Sequence, residues 1–185
     1  ICAILLIGYS HTLILALLLV TTLLIFSRFR SSFNGASDSM TLLTITALLV
    51  ARIFFDNSLL VSVSLGYIAV QICLSFFISG CIKLNKSNWR QGVALPGFIS
   101  QSIYASSPWL NGLITNKNLM KMMSWGVILC ELSFPLALFN SNLALSYIVI
   151  AMVFHLGNFY LFGLNRFVFA WAAAYPAFYW LADLG

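Results

Sequence analysis

Apolar residues fall along this chain in long runs rather than in alternation. The runs cover residues 1–26, 40–55 and 59–84, then, after a mixed stretch at 85–118, residues 119–139, 143–162 and 167–184. None keeps the two-residue period of a half-buried strand, so they predict helices. About 20 residues rising about 1.5 Å each cross a hydrocarbon core of about 30 Å. Most of these runs are near that length. A polar link, Ser27–Ser39, follows the first run, and three later breaks are short: Asp56-Asn57, Asn140-Ser141-Asn142 and residues 163–166. Such turns predict that the last three helices pack as antiparallel neighbours. The 85–118 stretch contains Trp89, Gly92, Pro96, Pro108 and Trp109. Its middle, 93–104, is apolar but too short to span, which predicts an interfacial or re-entrant helix. Pro135 and Pro176 are expected to kink or interrupt the fourth and sixth helices and to free carbonyls at depth.

Composition places these helices in a membrane. Hydrophobic residues make up 62% of the chain and charged residues 7%, with a mean hydropathy of +1.01. Soluble domains are about 45–50% apolar and about 25% charged. Lipid must solvate part of such a surface, and in lipid every backbone polar group needs an internal partner. The expected fold is therefore all-α: a polytopic membrane bundle of about six transmembrane helices, forming one domain over 1–185 with the bilayer as its partner. The chain starts at Ile1, and an N-terminal segment is expected to be missing. The first run is too long for a signal-peptide core. Cys2, Cys73, Cys81 and Cys130 all lie in apolar runs with no C-x-x-C spacing, which suits small buried hydrophobes. No basic stripe interleaves with aromatics, so nucleic acid is not an expected partner.

Charge adds orientation. Threading the six helices up and down puts Arg28, Arg30, Lys83, Lys86, Arg90, Lys117, Lys121 and Arg166 on one face. Of the nine basic residues only Arg52 falls toward the other, one turn from Asp56, where a local pair is expected. By the positive-inside rule the face of Arg28, Lys86, Lys117 and Arg166 is cytoplasmic, or the matrix side in an organelle. The expected location is a bacterial inner membrane.

Polar groups inside the runs are few enough to weigh singly. Lys83 closes the third run and is followed by Trp89, Arg90 and Gly92. One reading is a snorkelling lysine beside an interfacial tryptophan. The other is an amine held at the membrane boundary, where low dielectric disfavours the ammonium form and leaves a usable base. Glu131 sits mid-run in the fourth helix and His155 inside the fifth. A lone carboxylate at mid-bilayer costs about 2.5–3.5 kcal/mol on insertion scales. Glu131 must therefore face the interior and find a partner, or be protonated. At about 1.5 Å per residue it lies roughly 18 Å, and His155 roughly 10 Å, from the basic face. A contact between them is feasible, either as a packing pair or as a proton relay or polar pocket. A metal site needs more ligands than the spans supply; His11 is the only other histidine.

Several of these stretches resemble the HTTM domain, the membrane domain shared with vitamin K-dependent gamma-carboxylase. Phe76-Phe77-Ile78-Ser79-Gly80-Cys81-Ile82-Lys83-Leu84 followed by Trp89-Arg90-Gln91-Gly92 matches the family's aromatic helix, small residue and Gly, Lys-Leu, and Trp-x-x-Gly. Cys130-Glu131-Leu132-Ser133 and Phe154-His155-Leu156-Gly157-Asn158 follow in the family's order and spacing. The resemblance runs from about residue 34 to 180. It implies that Lys83 is the base that deprotonates vitamin K hydroquinone, that His155 and Glu131 work beside it, and that Trp89, Arg90, Gly92 and Asn158 shape the cofactor's surroundings. The chain departs from the carboxylase in three ways, the first being that it is expected to lack the family's first helix. It carries no large soluble region to bind a protein substrate, and its charge count puts Lys83 on the cytoplasmic side whereas the carboxylase works on the lumenal side.

Two functional expectations follow. One is a membrane protein with an intramembrane polar pocket that binds a quinone or lipid and acts as a carboxylase- or oxidoreductase-like enzyme. The other is a non-catalytic subunit, or a maturation or immunity factor, that uses the bundle as a scaffold for other membrane subunits.

Overall fold

A computed structural model of the chain describes residues 12–29, 35–102 and 107–184. Cys2, His11, Arg30, Asn34 and the end of the 93–104 stretch lie outside them. Its helices are α1 Thr12–Arg28, α2 Ala36–Ile53, α3 Ser58–Asn85, α4 Ser87–Arg90, α5 Ala94–Ile99, α6 Pro108–Thr115, α7 Lys117–Ser133, α8 Ser141–Phe162 and α9 Asn165–Asp183, with a 3-10 helix Phe134–Phe139 after α7. Four are long and apolar enough to cross a membrane: α2, α3, α7 with its 3-10 extension, and α8. Helix α1 is a shorter apolar helix. Helix α9 is long, but with Asn165, Arg166 and its Trp, Tyr and Pro residues it is not among those four.

The helix ends follow local chemistry. Asn57 Oδ1 accepts from Leu60 N at 3.2 Å at the start of α3. Asn116 Oδ1 accepts from Leu119 N at 3.1 Å to cap α7. Asn140 Oδ1 accepts from Asn142 N and Leu143 N at 2.8 and 3.2 Å to cap α8. Each takes up N–H groups that the helix leaves without partners. Thr21, Thr22, Thr41 and Thr46 turn their hydroxyls back to the carbonyl four residues earlier, which hides them in apolar helices. The two prolines act differently. Helix α7 ends at Ser133, and Pro135 lies in the tighter 3-10 turns that follow. Helix α9 runs through Pro176 without a break, correcting the expected interruption. A proline inside a helix removes one ladder hydrogen bond and crowds the carbonyl four residues earlier, and α9 continues through both.

Contacts divide the chain into two compact units. One comprises the chain up to Ile72 together with the stretch from Arg166 onward. It buries Leu15 of α1, Met40, Ile45 and Ala47 of α2, Ile68, Ala69 and Ile72 of α3, and Trp171, Ala174, Tyr175 and Phe178 of α9. The other is Cys73–Asn165. Its long interruption folds as the three short helices α4 to α6. Ile99, Leu110 and Met120 form a buried cluster there, flanked by Leu95, Leu113, Ile114, Leu119 and Leu161. In both units many large hydrophobic side chains face outward, among them Leu59, Val153 and Phe169. Water does not tolerate so many on one small protein, and lipid does. The protein is an integral membrane protein with the bilayer as its surroundings.

Candidate functional site

The site lies within the Cys73–Asn165 unit, where the end of α3 meets α7. Residue size decides how close they come. At Gly80 an added Cβ would lie 2.9 Å from the Leu132 nitrogen and 3.1 Å from Glu131 Cβ. Only hydrogen fits, so the two backbones approach as small residues allow between membrane helices. One turn further along α3, Lys83 reaches across this contact. Its Nζ donates to both carboxylate oxygens of Glu131, each at 2.7 Å, and to Ser79 Oγ at 2.6 Å. The Trp89 ring covers the same nitrogen, its centroid 5.1 Å away, in cation–π contact. An ammonium has three N–H donors, and all three have acceptors here. The Lys83 side chain is 15% exposed and that of Glu131 8%.

This geometry answers the question that the sequence left open for Glu131. Its partner is Lys83, 48 residues earlier. It also moves Lys83 in depth. Glu131 is fourteen residues into α7, which at about 1.5 Å each is about 21 Å from that helix's first residue. Lys83 is level with it, because the chain continues past Lys83 alongside α7 before α7 begins. Ser124 Oγ donates to the Trp89 carbonyl, and Trp125 Nε1 donates to the Arg90 carbonyl at 3.1 Å. The end of α3 therefore lies well along α7 rather than level with its first residue.

The motif after Lys83 is the brace that holds Trp89 over the amine. Gly92 has a φ of +75°, and a Cβ there would lie 2.5 Å from Lys121 Cα. Both facts require glycine. The Arg90 guanidinium donates to the Leu84 carbonyl at 2.7 Å, tying α4 to the end of α3, and is otherwise exposed. Arg90 and Gly92 thus support the site from behind.

His155 is buried, 3% exposed. Its ring lies 6.0 Å from Phe76 and 5.8 Å from Phe154. Phe76 in turn stacks on the fully buried Phe134 at 4.0 Å. Phe134 meets Tyr147 edge-on, and the Tyr147 hydroxyl donates to Ser133 Oγ at 2.7 Å. Asn158, one turn after His155, is half-buried, and its backbone carbonyl accepts from Leu164 at the end of α8. Its side chain makes no hydrogen bond with the Lys83 cluster. A crevice of about 250 Å³ opens beside Glu131, lined by Phe76, Met123, Val127, Cys130, Ile150 and Phe154 among others. Glu131 is the one ionisable acid on an otherwise apolar wall.

Ser79 and Gly80 were not singled out as site residues from the sequence. Ser79 is four residues before Lys83, hence on the same helix face, and that spacing is a readable signal. The role of Gly80 shows only once α7 is beside it.

A polytopic membrane helix protein with a buried, fully hydrogen-bonded charge pair is the class these features define. The chain belongs to the HTTM domain family, whose model matches residues 57–181. The matched region contains α3 with Lys83, the α4 brace, Glu131 and His155. Comparison with curated proteins and with solved structures gives no match.

Proposed function

We propose that the Lys83–Glu131 pair is the proton-handling centre of an intramembrane site for an amphipathic hydroquinone-class ligand, in a carboxylase- or oxidoreductase-like reaction. The observation that carries this reading is the placement of the pair: a buried, net-neutral ion pair with its carboxylate on the wall of an apolar crevice. The crevice volume of about 250 Å³ is just below the range of drug-sized pockets, about 300–1,000 Å³. It suits a flat ring, with any long tail left in the bilayer. Such a ligand, when bound, supplies an acidic O–H. The chain's own residues supply the rest. Lys83 occupies the position that the family resemblance gives to the base. Its Nζ donates to three acceptors, so to act as a base it must first give up one of those protons. Passing that proton to Glu131 leaves a neutral amine and a neutral acid, with no change in net charge inside the apolar layer. Phe76 and Phe154 exclude water from the crevice, and His155 sits beside them as a second titratable group. Trp89 holds the amine in place, with Arg90 and Gly92 bracing it, and Asn158 is a polar amide one turn after His155.

A second reading has one observation in its favour. Every N–H of Lys83 is already used inside the protein, as a purely structural staple would have it. The protein is then a membrane scaffold for other subunits. A naphthohydroquinone titration of the purified protein in lipid nanodiscs separates the two. Binding that quenches tryptophan fluorescence and is lost in Lys83→Met/Glu131→Met, while that variant stays folded, supports the site. Equal binding by the variant, or none by the native protein, refutes it and leaves the scaffold. The charge count adds an orientation to the proposal: the face of Lys86 and Lys117 is cytoplasmic, in a membrane of the bacterial inner type.

A further inference from the structure

The Cys73–Asn165 unit has a second crevice, of about 420 Å³, formed by α4, α5 and the link between them. Trp89 and Phe98 give it apolar surface, their rings 5.9 Å apart. Lys86, Asn88 and Gln101 give it polar side chains. All three are exposed. Among the described residues, none of these three side chains has a hydrogen-bond or ion-pair partner. Gly97 of α5 also lines the crevice, and a Cβ added there would meet nothing within 4 Å.

The charge around this crevice has one sign. Residues 73–165 include five lysines and arginines and a single acid, Glu131, and Lys83 takes up that acid. The other four are Lys86, Arg90, Lys117 and Lys121, all exposed. They share one layer of the unit. Lys86 and Arg90 bound α4, Gly92 packs on the backbone of Lys121, and Lys117 lies one turn before it. Exposed cations without acids are costly in hydrocarbon, so this layer belongs at the level of the lipid headgroups.

We propose that the crevice is a binding site for the anionic headgroup of a membrane phospholipid. The four cations draw the phosphate in, and Lys86 holds it. The amides of Asn88 and Gln101 donate to phosphate and glycerol oxygens, and the Trp89 and Phe98 rings cover the first carbons of the acyl chains. The mixed lining selects this occupant. An acyl chain alone would leave the three polar side chains unused, and a free phosphate would leave the rings uncovered. A zwitterionic headgroup carries its own ammonium, which cancels the attraction of the basic layer. The site holds whether or not the Lys83–Glu131 pair handles protons.

Native mass spectrometry of the full chain, released from detergent after titration with dioleoyl phosphatidylglycerol or dioleoyl phosphatidylcholine, tests the proposal. Phosphatidylglycerol should half-saturate the tightest site at about a fivefold lower concentration, the equivalent of about 1 kcal/mol for one lysine near an anionic lipid. Gly97→Trp, which fills the crevice from an exposed position, should lose that bound lipid. Lys86→Gln should bring phosphatidylglycerol to the level of phosphatidylcholine, and Lys86→Arg should keep the preference. Lys117→Gln removes a cation of the same layer that does not line the crevice, and should keep it too. Equal retention of the two lipids by the native chain overturns the proposal, as does undiminished retention by Gly97→Trp. An equal loss in Lys117→Gln and Lys86→Gln would show diffuse attraction without a site. Displacement of the lipid by millimolar inorganic phosphate would show an anion site alone, and either result overturns the proposal.

Discussion

Replacing one member of the Lys83–Glu131 pair leaves the other buried, and replacing both does not; stability should report the difference. In Lys83→Met, Glu131 loses the donor to both its oxygens while its side chain is only 8% exposed. Removing one partner of a buried pair costs about 3–5 kcal/mol, because the remaining charge has nothing to offset its desolvation. The cost of inserting a lone charge at mid-bilayer, about 2.5–3.5 kcal/mol, is of the same size. Glu131→Met should lose a similar amount, eased slightly because Ser79 and the Trp89 ring still face the amine. The double variant puts two flexible thioethers into the same volume. Well-packed apolar replacement of a buried pair is neutral or stabilising by about 1–4 kcal/mol. The double variant should therefore be as stable as the native protein, and the cycle should show a coupling of at least about 3 kcal/mol, more than a hundredfold in the unfolding constant. The assay is reversible unfolding in mixed micelles by titration with sodium dodecyl sulfate, followed by far-UV circular dichroism and tryptophan fluorescence. Should Lys83→Met stay within about 0.5 kcal/mol of native, the amine and carboxylate are not desolvated together, and the site as described here is wrong.

Two further substitutions probe how the pair is assembled and how its helices end. Gly80→Val should push α3 from α7, costing about 1–3 kcal/mol as an overpacked contact, and should open Lys83 to acetic anhydride. Mass spectrometry of the acetylated peptide reads this, and a Lys83 as protected as in the native chain would deny Gly80 its role. Asn140→Ala should cost about 1 kcal/mol in the same unfolding assay, through loss of the α8 cap; no change would mean that other groups satisfy those N–H donors.

Much of this arrangement could be read in advance, because it rests on local pattern. The apolar runs gave the helices to within a few residues: 143–162 became Ser141–Phe162 and 59–84 became Ser58–Asn85. In lipid the span length is fixed by the bilayer and the backbone has no alternative partner. Asn140 and Asn57 could be placed at breaks for the same local reason. The family resemblance, carried by Lys83, Trp89, Gly92, Glu131 and His155, held over residues 57–181. Tertiary geometry was not legible. Counting residues from helix ends made a contact of Glu131 with His155 feasible but did not bring in Lys83, because it assumes that every helix begins at the same level. Helix α7 begins well beyond the end of α3, and that offset brings Lys83 to Glu131. Pro176 was expected to interrupt its helix, yet α9 runs on through it, where Ala174, Tyr175, Ala177 and Phe178 are buried on either side and hold the flanking turns.

The pair itself points beyond stability. The chain has thirteen charged side chains, and two of them meet inside apolar helices, where a pair of methionines should hold the fold as firmly. Packing alone gives no reason to keep them there, and Gly80, Ser79, Trp89 and Gly92 are all arranged around them. A proton can move between nitrogen and oxygen in such a pair with no net charge entering the apolar layer, which no hydrophobic substitute can do. The double variant therefore separates the two roles: a staple predicts a protein native in both fold and function, whereas a proton-handling centre predicts native stability with function abolished.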